Sequence, residues 1–148
     1  MYKNILVPTD GSVRSQKAAR MAAQLARRLN ASITALYVVQ EGVPTAFSGG
    51  AIYGGGVLGR RYEEFLQQQA SAALAVVERE ARLAGAQYTG LHTIARHPWK
   101  AIVRTARSCH CDLIVMGTHA RRGLQGVALG SEAAKVLAHS KTPVLVYR

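Results

Sequence analysis

The feature that most constrains this chain is a fivefold alternation of short apolar runs with longer helix-forming stretches. The apolar runs fall at residues 3–8, 33–39, 88–95, 112–116 and 143–147. The second and fourth, which contain ALYVV and LIVM, are apolar almost throughout. A strand with one wet face alternates apolar and polar residues. A continuous run points to burial on both faces, and so to a parallel sheet covered by helices. Parallel strands joined through helices use right-handed crossovers, which predicts an open α/β sheet with helices on both faces.

The connecting segments carry their own signals. Thr9-Asp10-Gly11-Ser12 ends the first strand and offers a helix N-cap. Over 14–29 the residues are good helix formers, with Ala18, Met21, Ala22, Leu25 and Leu29 recurring every three or four positions. Asn30 can close that helix. A second helix is expected over 61–83, with Phe65, Ala72, Val76 and Leu83 among its apolar positions and Gly85 as terminator. Pro98 opens a third, running to about residue 108, and Gly130-Ser131 starts a fourth that runs to 137. Residues 42–59 hold seven of the fourteen glycines and read as a flexible loop, a candidate lid. At 148 residues, with no repeat and no boundary signal, the chain reads as one domain.

Several function classes find no support. No run approaches the ~18 apolar residues of a membrane span. The apolar run at the N-terminus is too short for a signal peptide and is stopped by Pro8. A soluble, cytoplasmic protein without membrane association is therefore expected. Cys109 and Cys111 are too close for a disulfide that closes a useful loop, and reduced thiols fit the cytoplasm. Cys109-His110-Cys111 lacks a second ligand cluster, so no metal site is assigned. There is no G-x-x-x-x-G-K-[ST] phosphate loop, and the literal G-x-G-x-x-G at residues 54–59 follows no strand. His92, His97 and His139 are scattered and read as structural or exposed, and Trp99 reads as a packing residue. Asp10 and His119 could approach one pocket, but no Ser-His-Asp order or carboxylate pair accompanies them. No catalytic residue is assigned.

The formal net charge is +11, a field that draws polyanions such as nucleotides or nucleic acid. Its cations, among them Arg14, Arg27, Arg60, Arg79, Arg104, Arg121 and Lys141, are dispersed, with no run of five. A solvated basic surface is the preferred reading over a nucleic-acid-binding module, which would show affinity falling steeply with salt.

Ligands of open parallel sheets sit beyond the carboxyl ends of the strands, where strand order reverses. For an order 3-2-1-4-5 that place lies between the first and fourth strands. The segments leaving them are Pro8-Thr9-Asp10-Gly11-Ser12 and Gly117-Thr118-His119-Ala120-Arg121-Arg122. The first supplies a carboxylate and hydroxyls. The second supplies backbone N–H groups, a histidine and two arginines. Gly130, Ser131 and Glu132 then begin a helix, whose first amides have no helical partner and suit an anion. The set describes a pocket with a carboxylate for ribose hydroxyls at one end and amides for phosphates at the other.

Gly117-Thr118-His119-Ala120, nine further residues and then Gly130-Ser131 closely resemble the ATP-binding signature of the universal stress protein family. The start KNILVPTDGS, the run CDLIVMGTHARRGL and the end KTPVLVYR also resemble it, so the likeness covers nearly the whole chain except residues 42–59. The resemblance implies a Rossmann-like fold of the adenine nucleotide alpha hydrolase type, strand order 3-2-1-4-5, and a homodimer paired through the last strand. It further implies ATP, or ADP or AMP, with Mg2+, and leaves slow ATP hydrolysis open. Asp10 would hold the ribose, Val38 and Met116 would flank adenine, and residues 117–131 would wrap the phosphates. Ala120 departs from the signature, which has glycine there. If that backbone is left-handed, alanine costs ~1–2 kcal/mol. A stress-response sensor or regulator is the expected role. The alternative is a dimeric relative that has lost the nucleotide and acts through unidentified protein partners.

Overall fold

The computed structural model describes residues 1–41, 57–118 and 129–148. Five strands and four helices alternate along them. These are β1 (Asn4–Thr9), α1 (Val13–Leu29), β2 (Ser32–Gln40), α2 (Val57–Ala84), β3 (Tyr88–Ala95), α3 (Pro98–Ser108), β4 (Leu113–Gly117), α4 (Ser131–His139) and β5 (Val144–Tyr147). All strand pairs are parallel, in the order β3-β2-β1-β4-β5. This is the open α/β sheet expected from the alternation.

Each central strand sends successive side chains to opposite faces, and both faces are covered. From β1, Ile5 and Val7 enter one core with α1 and α2, while Leu6 enters the other with α3 and α4. From β4, Leu113 and Val115 enter the first core, and Ile114 and Met116 the second. Ile5, Leu6, Val7, Ile114 and Val115 are fully buried. Burying side chains of this kind contributes about 1.5–3 kcal/mol each, which explains why these strands read as continuous apolar runs.

The helices depart from the expected faces in two places. Along α1 the buried stripe is Ser15, Ala18, Ala19, Ala22, Ala23 and Ala26. Met21, expected inside, is 37% exposed. Small residues let α1 lie close to the sheet, and the longer Met21 is left at the rim. In α2 the helix begins at Val57, four residues before the expected start. Its buried positions are Ala70, Ala73, Val77, Glu80 and Ala81. Phe65 and Leu83, 38% and 74% exposed, lie on the other side. The expected stripe was thus about one residue out of register. Alanine and valine occupy several faces of α2, and contact with α1 chooses among them. Glu80 marks that contact. It is 8% exposed, with its carboxylate 3.5 Å from Arg20 and 3.1 Å from Arg79.

Of the glycine-rich residues 42–59, positions 42–56 lie outside the described residues, so the lid expectation cannot be placed on the fold. Val57, Leu58 and Gly59, the end of the G-x-G-x-x-G match, belong to α2.

Candidate functional site

The crevice forms because β1 pairs more fully with β2 than with β4. The β1–β2 register runs from Asn4↔Ser32 to Thr9↔Tyr37. The β1–β4 register ends at Leu6↔Ile114. Beyond that point β1 and β4 are no longer paired, at the place where the strand order reverses across the sheet.

The turn that leaves β1 is built by its own polar atoms. The Asp10 carboxylate accepts the Ser12 N–H at 2.9 Å, and the Thr9 hydroxyl accepts the Gly11 N–H at 3.2 Å. Gly11 has φ +79°, the left-handed conformation that glycine adopts without a Cβ clash. Ser12 then caps α1, accepting the Ser15 N–H at 3.3 Å. Thr9 is 7% exposed and donates to the Ser15 hydroxyl at 3.1 Å. Asp10 is left at the exposed mouth. Burial and then the negative charge of Asp10 raise the Tyr37 phenol above its ordinary 10.0, keeping it neutral.

A cavity of about 630 Å³ occupies the crevice. Pro8, Thr9, Asp10, Val38, Met116, Gly117, Gly130, Ser131 and Glu132 all line it, so three strand ends and one helix start converge there. His119, Ala120 and Arg121 lie outside the described residues. Leu36, Val38, Pro98, Ile102 and Met116 give the cavity an apolar part, and Asp10, Gly130 and Ser131 are on its polar lining. Gly130 is the N-cap of α4, with no side chain capping the helix. The amides of Ser131, Glu132 and Ala133 are therefore the orphan donors of a helix N-terminus.

Glu132 lines the cavity with its carboxylate already engaged. One oxygen accepts the Trp99 N–H at 2.9 Å, and the other lies 3.1 Å from the Lys135 ammonium. It ties the first turn of α3 to the first turn of α4, a role that spacing alone could not show. Trp99 packs as expected, with its ring centroid 4.3 Å from that of His139. His92, His97 and His139 are exposed. Among the described residues no group of three or more metal-ligating side chains is present.

The sequence reading missed Ser15, Leu36, Gln40, Pro98, Ile102 and Ala133 as lining residues, and included Thr118 only as part of the segment leaving β4 without singling it out. Thr118 was within reach of the strand-end rule, since it follows Gly117 directly. The α3 residues were not, because nothing local says which helix will roof the crevice.

A parallel sheet in the order 3-2-1-4-5, with a largely apolar cavity at its reversal point and the first turn of α4 on its lining, defines an open α/β fold of the class whose ligand crevices lie beyond the carboxyl ends of the strands. The model of the universal stress protein family matches residues 1–148. The chain belongs to that family. It is similar to the universal stress protein MJ0531 of Methanocaldococcus jannaschii, at 35% identity over all of this chain and 83% of that protein. It is similar also to a universal stress protein of Thermus aquaticus, at 33% identity over the full length of both. Among solved structures, a universal stress protein in complex with cAMP shares 27% identity and a TM-score of 0.71, over 99% of this chain and 97% of that one.

Proposed function

We propose that the chain binds an adenine nucleotide in this cavity and acts as a cytoplasmic, dimeric stress-response regulator whose surface changes with nucleotide state. The observation that carries the reading is the two-part lining. An apolar part built on Leu36, Val38, Ile102 and Met116 suits a purine, and the unpartnered first amides of α4 suit phosphate oxygens. Asp10, on the cavity lining at its exposed mouth, would accept ribose hydroxyls. The related structure that holds cAMP makes an adenine ligand the natural candidate. ATP, ADP and AMP all fit the chemistry of the lining. Mg2+, where it accompanies the nucleotide, would be carried mainly on phosphate oxygens, since the Glu132 carboxylate is committed to Trp99 and Lys135.

Calorimetric titration with ATP, ADP, AMP and cAMP tests the proposal. Saturable heat with at least one of them is expected. Absence of heat with all four would reject nucleotide binding and leave a role through protein contacts. An Ala120→Gly variant, titrated beside the native chain, measures what the altered signature position costs.

A further inference from the structure

We propose that Thr118 is a positioning residue for the phosphate end of the ligand. This inference rests on the nucleotide reading of the cavity. Thr118 is 4% exposed and lines the cavity immediately after β4 ends. Its hydroxyl oxygen accepts the Gly130 N–H at 2.7 Å. Its own N–H donates to the Tyr147 carbonyl at 3.1 Å, at the end of β5. One buried residue therefore ties the exit of β4 both to β5 and to the N-cap of α4.

That bond reaches the α4 amides through one peptide. Gly130 carries no side chain that could fix its own orientation, and its carbonyl accepts the Ala134 N–H at 2.9 Å. Holding the Gly130 N–H to Thr118 therefore sets the direction in which the next amides of α4 point. It also closes the chain on itself across twelve sequence positions, fixing both ends of the segment 118–130. With one lone pair taken by Gly130, the hydroxyl proton turns elsewhere. Among the described residues none accepts it.

The test separates phosphate positioning from general packing. Thr118→Val keeps the shape and removes the acceptor, and Thr118→Ser keeps the acceptor. Native, Val and Ser proteins are titrated with ATP and with adenosine, and their thermal midpoints are compared. The Val variant is expected to lose about five- to tenfold in ATP affinity, the effect of roughly one net hydrogen bond. Its adenosine affinity should stay within about twofold, and the Ser variant should bind ATP as the native chain does. Unchanged ATP affinity in the Val variant overturns the inference while leaving the nucleotide reading intact. So does an equal loss for ATP and adenosine, or a Ser variant as weak as Val. A native chain that binds neither compound overturns both.

Discussion

At the scale of single residues, the site depends on atoms whose neighbours come from far along the chain. Gly117 is a case where glycine is required for space rather than for conformation, since its φ is not in the left-handed region. A Cβ there would lie 2.9 Å from the Arg14 carbonyl oxygen and 3.0 Å from its carbon, both backbone atoms in the first turn of α1. Gly117→Ala should therefore cost about 1–3 kcal/mol, read as a lower midpoint in urea denaturation. Cys111 makes a second residue-level prediction. Burial, first among the causes, pushes its thiol from the ordinary 9.0 up to about 11, against a smaller lowering by the Thr34 hydrogen bond. The folded state thus holds this proton more tightly than the unfolded chain. The stability it contributes is complete below about pH 9 and is lost as the pH climbs through about 11. The native protein should lose stability across that window in urea titrations, and Cys111→Ala should lose less.

At the scale of elements, three helices end in one way with three different residues. The residue just beyond α1 is Asn30 at φ 52°, beyond α2 Gly85 at φ 70°, and near the end of α3 His110 at φ 53°. In each case the following N–H closes back on the last helical turn: Ala31 to Ala26 at 2.9 Å, Ala86 to Ala81 at 3.0 Å, Cys111 to Ala106 at 2.8 Å. This is the pattern in which a left-handed residue satisfies orphan carbonyls, and glycine adopts it without a steric cost. Asn30 and Gly85 were legible as terminators because both residue types favour that conformation. His110 was not, since histidine is not a usual residue at that helix-terminating position. His110→Gly should stabilise the protein by about 1 kcal/mol through relief of that strain, and a rise in thermal midpoint would show it. A fall would mean that the histidine makes contacts that outweigh its backbone cost.

At the scale of the whole molecule, the sheet has two edges, β3 and β5. An edge strand presents unpaired backbone groups that another copy can satisfy. β5 is only four residues long and carries Leu145 at 37% exposure. Dimerisation through β5 predicts a dimer mass in sedimentation equilibrium and a shift toward monomer in Leu145→Lys. A native mass that stays monomeric at every concentration would reject it. The Tyr147 carbonyl that receives the Thr118 N–H lies on this same strand, so the proposed pairing edge and the ligand crevice share a structural member. The open parallel sheet was readable in advance from the alternation and right-handed crossovers, while its strand order came only from the family resemblance.

Local rules were enough for what depends on neighbours in sequence. Strand and helix positions, the Ser12 cap and the Pro98 start follow from periodicity and backbone preference, and the convergence of the β1 and β4 exits followed only once the resemblance supplied the strand order. The tertiary structure decided what depends on which surfaces meet. It chose the Ala73–Val77 side of α2 over the Ala72–Val76 side, turned Glu132 toward Trp99, and placed Thr118 against Gly130. Those outcomes compare packing energies between segments far apart in the chain, and faces of similar local character can be ranked only once the partner surface is present.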